Sequence, residues 1–356
     1  MGGRRLTFSD FDNFTCNICG AISKPPTAPL GREAPSCPAC ESTVRLRSII
    51  AMLSREMFGL EIALPDFPVL KGIRGMGMSD APELAQRLAE KFNYINTFYH
   101  QDPRLDIAAP SPEQLVEHVG RYDFILSSEV LEHVAPPVER AFVNLNQLLK
   151  PDGLLLLTVP YRPDGRTTEH FPELYEYSLA APGGREVLVN RRRDGSLEVF
   201  QSLSFHGGDG STLEMRVFSE TSLTETFAAA GFTSTRIGKE DFPEFGILHD
   251  GAWSLPMAAR KGAFRPPAAE IARAYGAVVK KGEALARQLE ERTKWALALK
   301  TEKEAALAAL QNIAAQDEVA ARYIQHLKTK LTEVHAASAK TELSLWMRVG
   351  RKLGAV

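Results

Sequence analysis

Strand-like and helix-like patterns of apolar residues alternate through the middle of the chain, from about residue 65 to residue 265. Short apolar runs predict strands at PVLKGI, NYINTFY, YDFILSS and LLLLTVPY. Apolar residues three and four apart predict helices at DAPELAQRLAEKF and VERAFVNLNQLLK, and the following PDG predicts where the second helix ends. This alternation is typical of an α/β fold whose mainly parallel sheet carries helices on both faces.

The pattern changes after Tyr161. REVLVNRRRDGSLEVFQSLSF predicts a hairpin that turns at Asp194-Gly195. The basic run 191–193 at its tip is either a solvated turn or a contact for an acidic ligand. SETSLTETFAAAGFTSTRIG predicts a capped helix and a strand that return to the sheet.

Apolar residues follow a heptad-like seam in residues 266–340, and the part from about 268 to 336 almost lacks Gly and Pro. A seam of this length predicts a coiled coil and, through it, a homo-oligomer. A helical hairpin that folds back on the core is the alternative. In residues 341–356 apolar and basic side chains alternate around Trp346, which suits a membrane surface or a partner groove, or else a frayed tail.

Length and composition bound the remaining choices. The 356 residues exceed one average domain, and the net charge of -2 argues against a chain built mainly to bind nucleic acid. No run approaches the roughly 20 apolar residues that span a bilayer, and MGGRRLTFSD lacks the apolar part of a secretory signal. We therefore expect a cytoplasmic protein, with peripheral contact to the inner face of the membrane if the basic tail binds lipid.

All four cysteines lie in the first segment, residues 1–60. Their spacing is two CxxC pairs with seventeen residues between them, which predicts a zinc ribbon rather than disulfides or a redox pair. Four thiolates leave no open position, so the zinc would be structural. The ligands would be Cys16, Cys19, Cys37 and Cys40. The helix predicted next, VRLRSIIAMLSREMFG, carries Arg45 and Arg47, interpreted as a solvated face that could alternatively meet an acidic substrate.

Glycines follow the first predicted strand of the middle segment. Gly72, Gly75 and Gly77 precede a predicted helix, for which Ser79 or Asp80 would be the cap. A strand, a glycine run and a helix in this order form either a nucleotide-binding loop or an ordinary turn.

Two further motifs carry a resemblance to a family. YDFILSSEVLEHV and LLKPDGLLLLTVPY resemble class I S-adenosylmethionine-dependent methyltransferases of the type 11 branch, through 131–134 (LEHV) and 148–153 (LLKPDG). The resemblance covers about residues 65–240, and the cysteine segment is similar to ribbons fused to some members. It implies a methyltransferase domain at 61–265 with a Rossmann-like seven-stranded sheet, parallel but for one strand. S-adenosylmethionine would lie across the carboxyl ends of the strands.

The resemblance also implies site residues. The cofactor-binding positions would be Gly75, Met76 and Gly77 under the amino acid part, Asn96 and Thr97 at the ribose, Asp106 and Ile107 beside the adenine, and Ser127, Ser128 and Glu129 near the methyl donor. This chain departs from the family by having no carboxylate at the ribose position. The acceptor pocket would lie in 161–216, with His133, His170, His206 and Tyr161 as catalytic candidates. Glu132 and Glu169 could orient the histidines.

Methyl transfer to an oxygen or nitrogen of a small molecule or a glycan is the function that this resemblance implies. A coiled coil and a basic tail behind an enzyme domain are similar to chains that assemble cell-surface polysaccharide. Two alternatives stay open. One is a nucleic-acid methyltransferase that uses the ribbon as a reader, although the near-neutral charge and the lack of an NPPY-like motif count against it. The other is a non-catalytic oligomeric scaffold that keeps the fold.

Overall fold

The computed structural model describes residues 13–24, 31–206, 212–263, 268–314 and 318–353. The chain divides into two compact units, Met1–Ile271 and Ala272–Val356. The helices are α1 (Val44–Phe58), α2 (Pro82–Lys91), α3 (Pro112–His118), α4 (Glu139–Leu148), α5 (Glu220–Ala229), α6 (Ala268–Ala314) and α7 (Glu318–Leu353). The strands are β1 (Phe14–Thr15), β2 (Ile22–Ser23), β3 (Leu70–Met78), β4 (Phe92–Thr97), β5 (Tyr122–Ser128), β6 (Leu149–Thr158), β7 (Tyr161–Arg162), β8 (Thr168–Glu169), β9 (Glu176–Ala180), β10 (Val187–Arg191), β11 (Leu197–Phe200), β12 (Phe205–His206), β13 (Thr212–Leu213), β14 (Arg216–Ser219), β15 (Ser234–Ile237) and β16 (Met257–Arg260).

The central sheet has six strands among the described residues, in the order β15-β16-β6-β5-β3-β4. Only β16 runs against its neighbours, so the α/β class and the single antiparallel strand agree with the expectation. The expected count of seven strands is wrong. Between β4 and β5 the chain forms α3 and no further strand, because HQDPRLDIAAPSPEQ has no apolar run that a strand could bury.

Helices cover both faces of this sheet. α1 packs against β6 and β16. α4 and α5 lie over the main core, where Phe142, Leu145 and Phe227 pack with apolar residues of the strands. Residues 154–157 of β6 are all at most 1% exposed, as expected of a strand covered on both sides.

The glycines predicted to form a loop lie within a strand. β3 continues through Gly75 and Gly77 to Met78, and α2 begins only at Pro82. The cap of α2 is Ala81, which forms no side-chain capping bond, so the prediction of Ser79 or Asp80 as the cap is wrong. The side chain of Asp80 instead turns into the protein and meets Tyr94.

The insertion after β6 forms small sheets, β7-β14-β8, β9-β10-β11 and β12-β13. The predicted hairpin at Asp194-Gly195 is confirmed as the antiparallel pair β10–β11. Its basic tip is a solvated turn. Arg191 and Arg192 form ion pairs with Glu176 and Glu198, and the Arg193 guanidinium lies 4.5 Å from the Tyr175 ring centroid.

The second unit contains α7 and all of α6 from Ala272 onward. The side chains of Lys303 and His335 meet at 2.9 Å between Nζ and Nδ1, which places α7 beside α6, running back along it. α7 also includes the described part of the tail predicted as a separate segment. None of the described helices is both long enough and apolar enough to cross a membrane.

Candidate active site and cysteine cluster

The carboxyl ends of β3, β4, β5 and β6 meet at one edge of the sheet, because these four strands are parallel neighbours. From β3 the chain turns to β4 on one side, and it then returns to β5 on the other side. The gap between the ends of β3 and β5 is therefore the point where the strand order reverses, which is where open α/β sheets bind ligands.

Side chains of the protein itself fill the space beside the β3 glycines. A Cβ on Gly77 would collide with the Asp80 carboxyl and the Tyr94 hydroxyl, and one on Gly75 would collide with the rings of Tyr94 and Phe124. The glycines thus make room for packed neighbours. Burial raises the pKa of Asp80 to about 6, against the opposing effects of the Tyr94 hydrogen bond and the Arg45 charge.

The residues at the end of β4 hold the turn that follows β3. Asn96 accepts a hydrogen bond from the Asp80 amide (3.0 Å) and donates one to the Asp80 carbonyl (2.9 Å). The hydroxyl of Thr97 donates to the Gly77 carbonyl at 2.9 Å and is buried. Both side chains expected at the ribose therefore have partners within the protein.

Asp106 and Ile107, expected beside the adenine, lie in the segment between β4 and α3. One carboxylate oxygen of Asp106 accepts hydrogen bonds from the amides of Ala108 (3.0 Å) and Ala109 (3.1 Å). Ile107 is buried, and its carbonyl accepts from Asn144. Asp106 is thus held by a local turn.

The end of β5 carries the polar groups expected near the methyl donor. Ser127 is fully buried, and the Ser128 hydroxyl lies 3.0 Å from that of Thr158 at the end of β6. Glu129 follows in the left-handed region with a φ of 54°, which is uncommon for a residue with a side chain. Burial acts to raise the pKa of Glu129, but the charges of Arg32 and Arg45 and the hydrogen bonds from Arg32 and Thr158 together lower it below its ordinary value.

The cysteine segment supplies two arginines to this edge. Arg32 Nη2 lies 2.7 Å from a Glu129 oxygen, and Arg32 Nε donates to the Ser254 carbonyl at 2.9 Å. Arg45, at the start of α1, donates to the Ser128 hydroxyl. The interpretation of Arg45 as part of a solvated face is therefore wrong. The arginines line a small cleft that opens to solvent and is also lined by Thr158, among others.

The three histidines predicted as catalytic candidates lie together. Glu214 lies between two of them, with 2.9 Å from its Oε1 to Nε2 of His170 and 3.2 Å from its Oε2 to Nε2 of His206. The rings of His206 and His133 meet edge to face with their centroids 6.0 Å apart. Glu214 was missed at the sequence level, because it lies far along the chain from His170 and belongs to no motif.

The environment of His133 determines its protonation. Its Nδ1 lies 3.0 Å from the Leu213 carbonyl, which can only accept, so Nδ1 carries the proton and Nε2 carries the lone pair, 3.6 Å from an oxygen of Glu132. Burial lowers the pKa of His133, which leaves the ring neutral at pH 7. The adjacent Glu132 is completely buried, and burial, followed by the nearby charge of Glu129, raises its pKa well above its ordinary value.

Arg216 joins the insertion to the loop that carries Glu132 and His133. Its guanidinium is fully buried and lies 2.6 Å from a carboxylate oxygen of Glu169. It also donates to the carbonyls of Leu131 (2.9 Å) and Val134 (2.6 Å). Glu169 thus pairs with this arginine, and Glu214 contacts the histidines instead.

Tyr161 lies apart from these contacts, in β7. It is 2% exposed and belongs to the main apolar core, and its amide donates to the Ser254 hydroxyl at 3.0 Å. Burial raises the pKa of its phenol, so the group is neutral at pH 7. A neutral buried hydroxyl can donate a hydrogen bond but is a poor base.

The four cysteines converge on one point. Their sulfurs all lie within 4.8 Å of one another, with 3.7 Å between Cys16 and Cys40 and 3.6 Å between Cys19 and Cys37. Four sulfurs at about 2.3 Å from a tetrahedral zinc ion would be about 3.8 Å apart, so the donor set fits zinc.

Arg47 supports the cysteine cluster from the inside of the protein and is fully buried, contrary to the interpretation as a solvated residue. It donates to Ser36, to the Ser42 carbonyl and to the Gly246 carbonyl at 2.8–2.9 Å. Ser42 in turn contacts the sulfur of Cys16 at 3.2 Å. The cysteine segment is thereby anchored to the loop that carries Gly246.

A comparison with protein families identifies the central segment. Residues 67–237 match the family model described as a methyltransferase domain. This match, over 171 of the 356 residues, supports an S-adenosylmethionine-dependent methyltransferase. None of the curated proteins matches the sequence.

Solved structures of methyltransferases are similar to this chain at low identity. The 1,6-didemethyltoxoflavin-N1-methyltransferase of Burkholderia thailandensis, bound to its substrate and S-adenosylhomocysteine, is 17% identical over 68% of this chain and 95% of its own, with a TM-score of 0.31. CalS10, an amino pentose methyltransferase of Micromonospora echinaspora with bound S-adenosylmethionine, is 14% identical over 62% of this chain and 92% of its own, with a TM-score of 0.33. Likeness at this level assigns neither an acceptor nor the role of any residue.

Proposed function

We propose that this methyltransferase transfers the methyl group of S-adenosylmethionine to an oxygen or nitrogen atom of a small-molecule or glycan acceptor. The observation that carries the proposal is the cluster in which Glu214 contacts His170 and His206 and the His206 ring meets that of His133, which follows β5 in the chain. Titratable groups gathered beside the methyl-donor end of the sheet suit an acceptor that must lose a proton.

The donor supplies an activated methyl group, so the protein has two tasks. It must place the acceptor atom in line with the sulfonium, and it must remove a proton when the acceptor is an alcohol or an ammonium group. Nε2 of His133 is neutral with a free lone pair and can take that proton. Glu214 contacts and orients His170 and His206, and all three lie in the insertion. Arg216, also in the insertion, holds the loop that carries His133 against it.

The ends of β3, β4 and β5 remain the proposed cofactor positions. Ser128, Glu129 and Asp106 are polar groups at this edge. Asn96 and Thr97 would contact the ribose only by exchanging their present partners, and Gly75 and Gly77 would need their packed neighbours to move. We therefore assign the donor to the gap between β3 and β5.

The cysteine cluster is proposed to hold one structural zinc ion. The distances between the sulfurs support this assignment, and four protein ligands leave no position for a substrate. The ion would fix the loop that carries Arg32 and the start of α1 that carries Arg45, and these arginines reach the donor edge.

The long helices are proposed to join copies of the chain. Several seam positions are about half exposed or more within one chain, including Val278, Leu299, Ile313 and Val334. Burial of such a seam against a second copy is the usual way in which exposed heptads are satisfied.

The proposal is tested by following the methyl group. The purified full chain, supplied with zinc and with S-adenosylmethionine labelled in its methyl group, is incubated with separate small-molecule, glycan and RNA extracts of the source cells. We expect label in the small-molecule or glycan fraction, together with a mass gain of one methyl group.

Two variants control this experiment. His133→Ala should lose most of the transfer, whereas His326→Ala, which changes an exposed histidine of α7, should keep it. Label in the RNA fraction would favour the nucleic-acid alternative. The absence of label from every fraction would contradict the proposed function.

A further inference from the structure

We propose that Arg32 and Arg45 form a clamp for a ligand carboxylate, a place that Glu33 fills in the free protein. The proposal rests on the proposed function and deepens it, because it names the group that recognises one end of a ligand at the donor edge. The residues of the clamp all come from the cysteine segment, outside the matched methyltransferase domain.

Both guanidinium groups converge on a single carboxylate. Arg45 Nε lies 2.9 Å and 2.8 Å from the two oxygens of Glu33, and Arg32 contacts one of the same oxygens. The two arginine side chains are 12% and 16% exposed, but that of Glu33 is 52% exposed. The arginines therefore belong to the protein interior, whereas their shared carboxylate lies at its surface.

A carboxylate as exposed as Glu33 is weakly held, because solvent screens its ion pairs. The same two arginines offer planar, charge-assisted hydrogen bonds, which suit a carboxylate particularly well. A ligand carboxylate that arrived with further contacts in the cleft would displace Glu33 without leaving any buried charge unpaired.

Other bonds would keep the clamp in place after Glu33 leaves. Arg32 is fixed by Glu129 (2.7 Å) and the Ser254 carbonyl (2.9 Å), and Arg45 is fixed by Ser128. A site whose groups are already positioned loses less entropy when it binds a ligand.

The clamp lies where a ligand is expected. Arg45 bonds to the last residue of β5, Ser128, and its charge lowers the pKa of Asp80 beyond the end of β3 against the larger effect of burial. It therefore lies at the gap between β3 and β5, where the strand order reverses. The small cleft that opens to solvent begins at the same two arginines.

Two carboxylates could occupy this clamp, the amino acid end of the methyl donor and an acidic group of the acceptor. The packing around the β3 glycines favours the donor. Gly75 and Gly77 are covered by Tyr94, Phe124 and Asp80, so the main chain there offers no open cradle for the amino acid end.

Calorimetry with two donor analogues tests the clamp. S-adenosylhomocysteine carries the carboxylate, and 5′-methylthioadenosine lacks the whole amino acid part. In Arg45→Met we expect the affinity for S-adenosylhomocysteine to fall about tenfold to a hundredfold, the effect of one lost charged hydrogen bond, with the affinity for methylthioadenosine unchanged. Glu33→Gln should raise the affinity for S-adenosylhomocysteine severalfold, because the competing carboxylate is gone. This second variant keeps the test valid if Arg45→Met folds poorly.

Arg191→Met is the matched control, because Arg191 forms an exposed ion pair with Glu176 on the hairpin. If the variants change the affinity for neither analogue, D-glucuronate is titrated onto protein saturated with methylthioadenosine. Loss of its binding in Arg45→Met alone would assign the clamp to an acidic acceptor.

If Arg45→Met and Glu33→Gln bind every probe as the wild type does, the clamp is refuted while the methyltransferase function stands. If the wild type binds neither donor analogue, the proposed function fails and the clamp fails with it.

Discussion

Oε1 of Glu214 lies 2.9 Å from Nε2 of His170, and this contact joins two parts of the insertion that are 44 residues apart in the sequence. The other carboxylate oxygen lies 3.2 Å from His206. A carboxylate that is only 9% exposed and contacts two imidazoles fixes both rings. This arrangement gives the proposed acceptor pocket its geometry.

Replacing this carboxylate should impair chemistry more than donor binding. Glu214→Gln removes the negative charge and leaves one side-chain oxygen to accept a hydrogen bond from the two histidines. We expect the rate of methyl transfer to fall about tenfold or more, within the range that acid–base groups contribute. Initial rates with labelled donor and calorimetry with S-adenosylhomocysteine measure the two effects. An equal loss of donor affinity would assign Glu214 a structural role instead.

The pH dependence of transfer should reflect His133. Burial lowers the pKa of this histidine from its ordinary value of 6.5, so the neutral base is present at pH 7 and is lost only in more acidic solution. The rate constant kcat/KM should therefore be flat near neutrality and should fall on the acid side below pH 6.5. A fall that begins above pH 7 would show that another group with a higher pKa is the base.

Arg216 should contribute strongly to stability. Its guanidinium is fully buried against Glu169 and two carbonyls, so Arg216→Met leaves the Glu169 carboxylate without its charged partner and removes a donor from both carbonyls. Removing one partner of a buried ion pair costs about 3–5 kcal/mol in the free energy of unfolding. Arg191→Met, whose side chain is 61% exposed, should change it by less than about 1 kcal/mol. Urea unfolding of both variants checks the contrast, and equal effects would contradict it.

Asp80 should make stability depend on pH. Burial raises its pKa from 3.8 to about 6, so the unfolded chain loses this proton at lower pH than the folded chain does. Protonated Asp80 contributes on the order of 3 kcal/mol to the free energy of unfolding. This contribution is complete below pH 3.8 and is lost as the pH rises to about 6. Asp80→Asn removes this titration. As the pH rises from 4 to 7, the unfolding temperature of Asp80→Asn should therefore increase relative to that of the wild type. A difference in unfolding temperature that stays constant across this range would refute the assignment.

Zinc should be bound in a ratio of one ion per chain, which elemental analysis of the purified protein measures. Cys37→Ser removes one of four ligands and should release the ion and lower the unfolding temperature by several degrees. Because Arg32 and Arg45 come from the same segment, the variant should also bind S-adenosylhomocysteine more weakly. Full zinc content in Cys37→Ser would contradict the four-sulfur site.

The sequence predicts most of the fold because the relevant signals are local. Apolar runs and helical periodicity indicate β5, β6, α1, α4 and α5, and the Asp-Gly turn indicates the hairpin. The strand count was wrong because it came from the family resemblance rather than from the residues. The segment between β4 and β5 is polar and rich in Pro, and its own pattern gives no strand.

The functional edge is less predictable, since it depends on contacts between distant segments. The glycines of β3 precede a helix as a nucleotide-binding loop does, yet their neighbours are Tyr94 and Phe124 on adjacent strands. Arg32 and Arg45 reach the end of β5 only because α1 packs against the same sheet. The positions of the three histidines relative to Glu214 likewise depend on how the insertion folds.

A crystal structure of the zinc-loaded full chain with S-adenosylhomocysteine tests the central claim most directly. We expect the ligand in the gap between the ends of β3 and β5, with its sulfur facing Glu129 and the histidine cluster. A ligand bound elsewhere in the unit, or none at saturating concentration, would contradict the account.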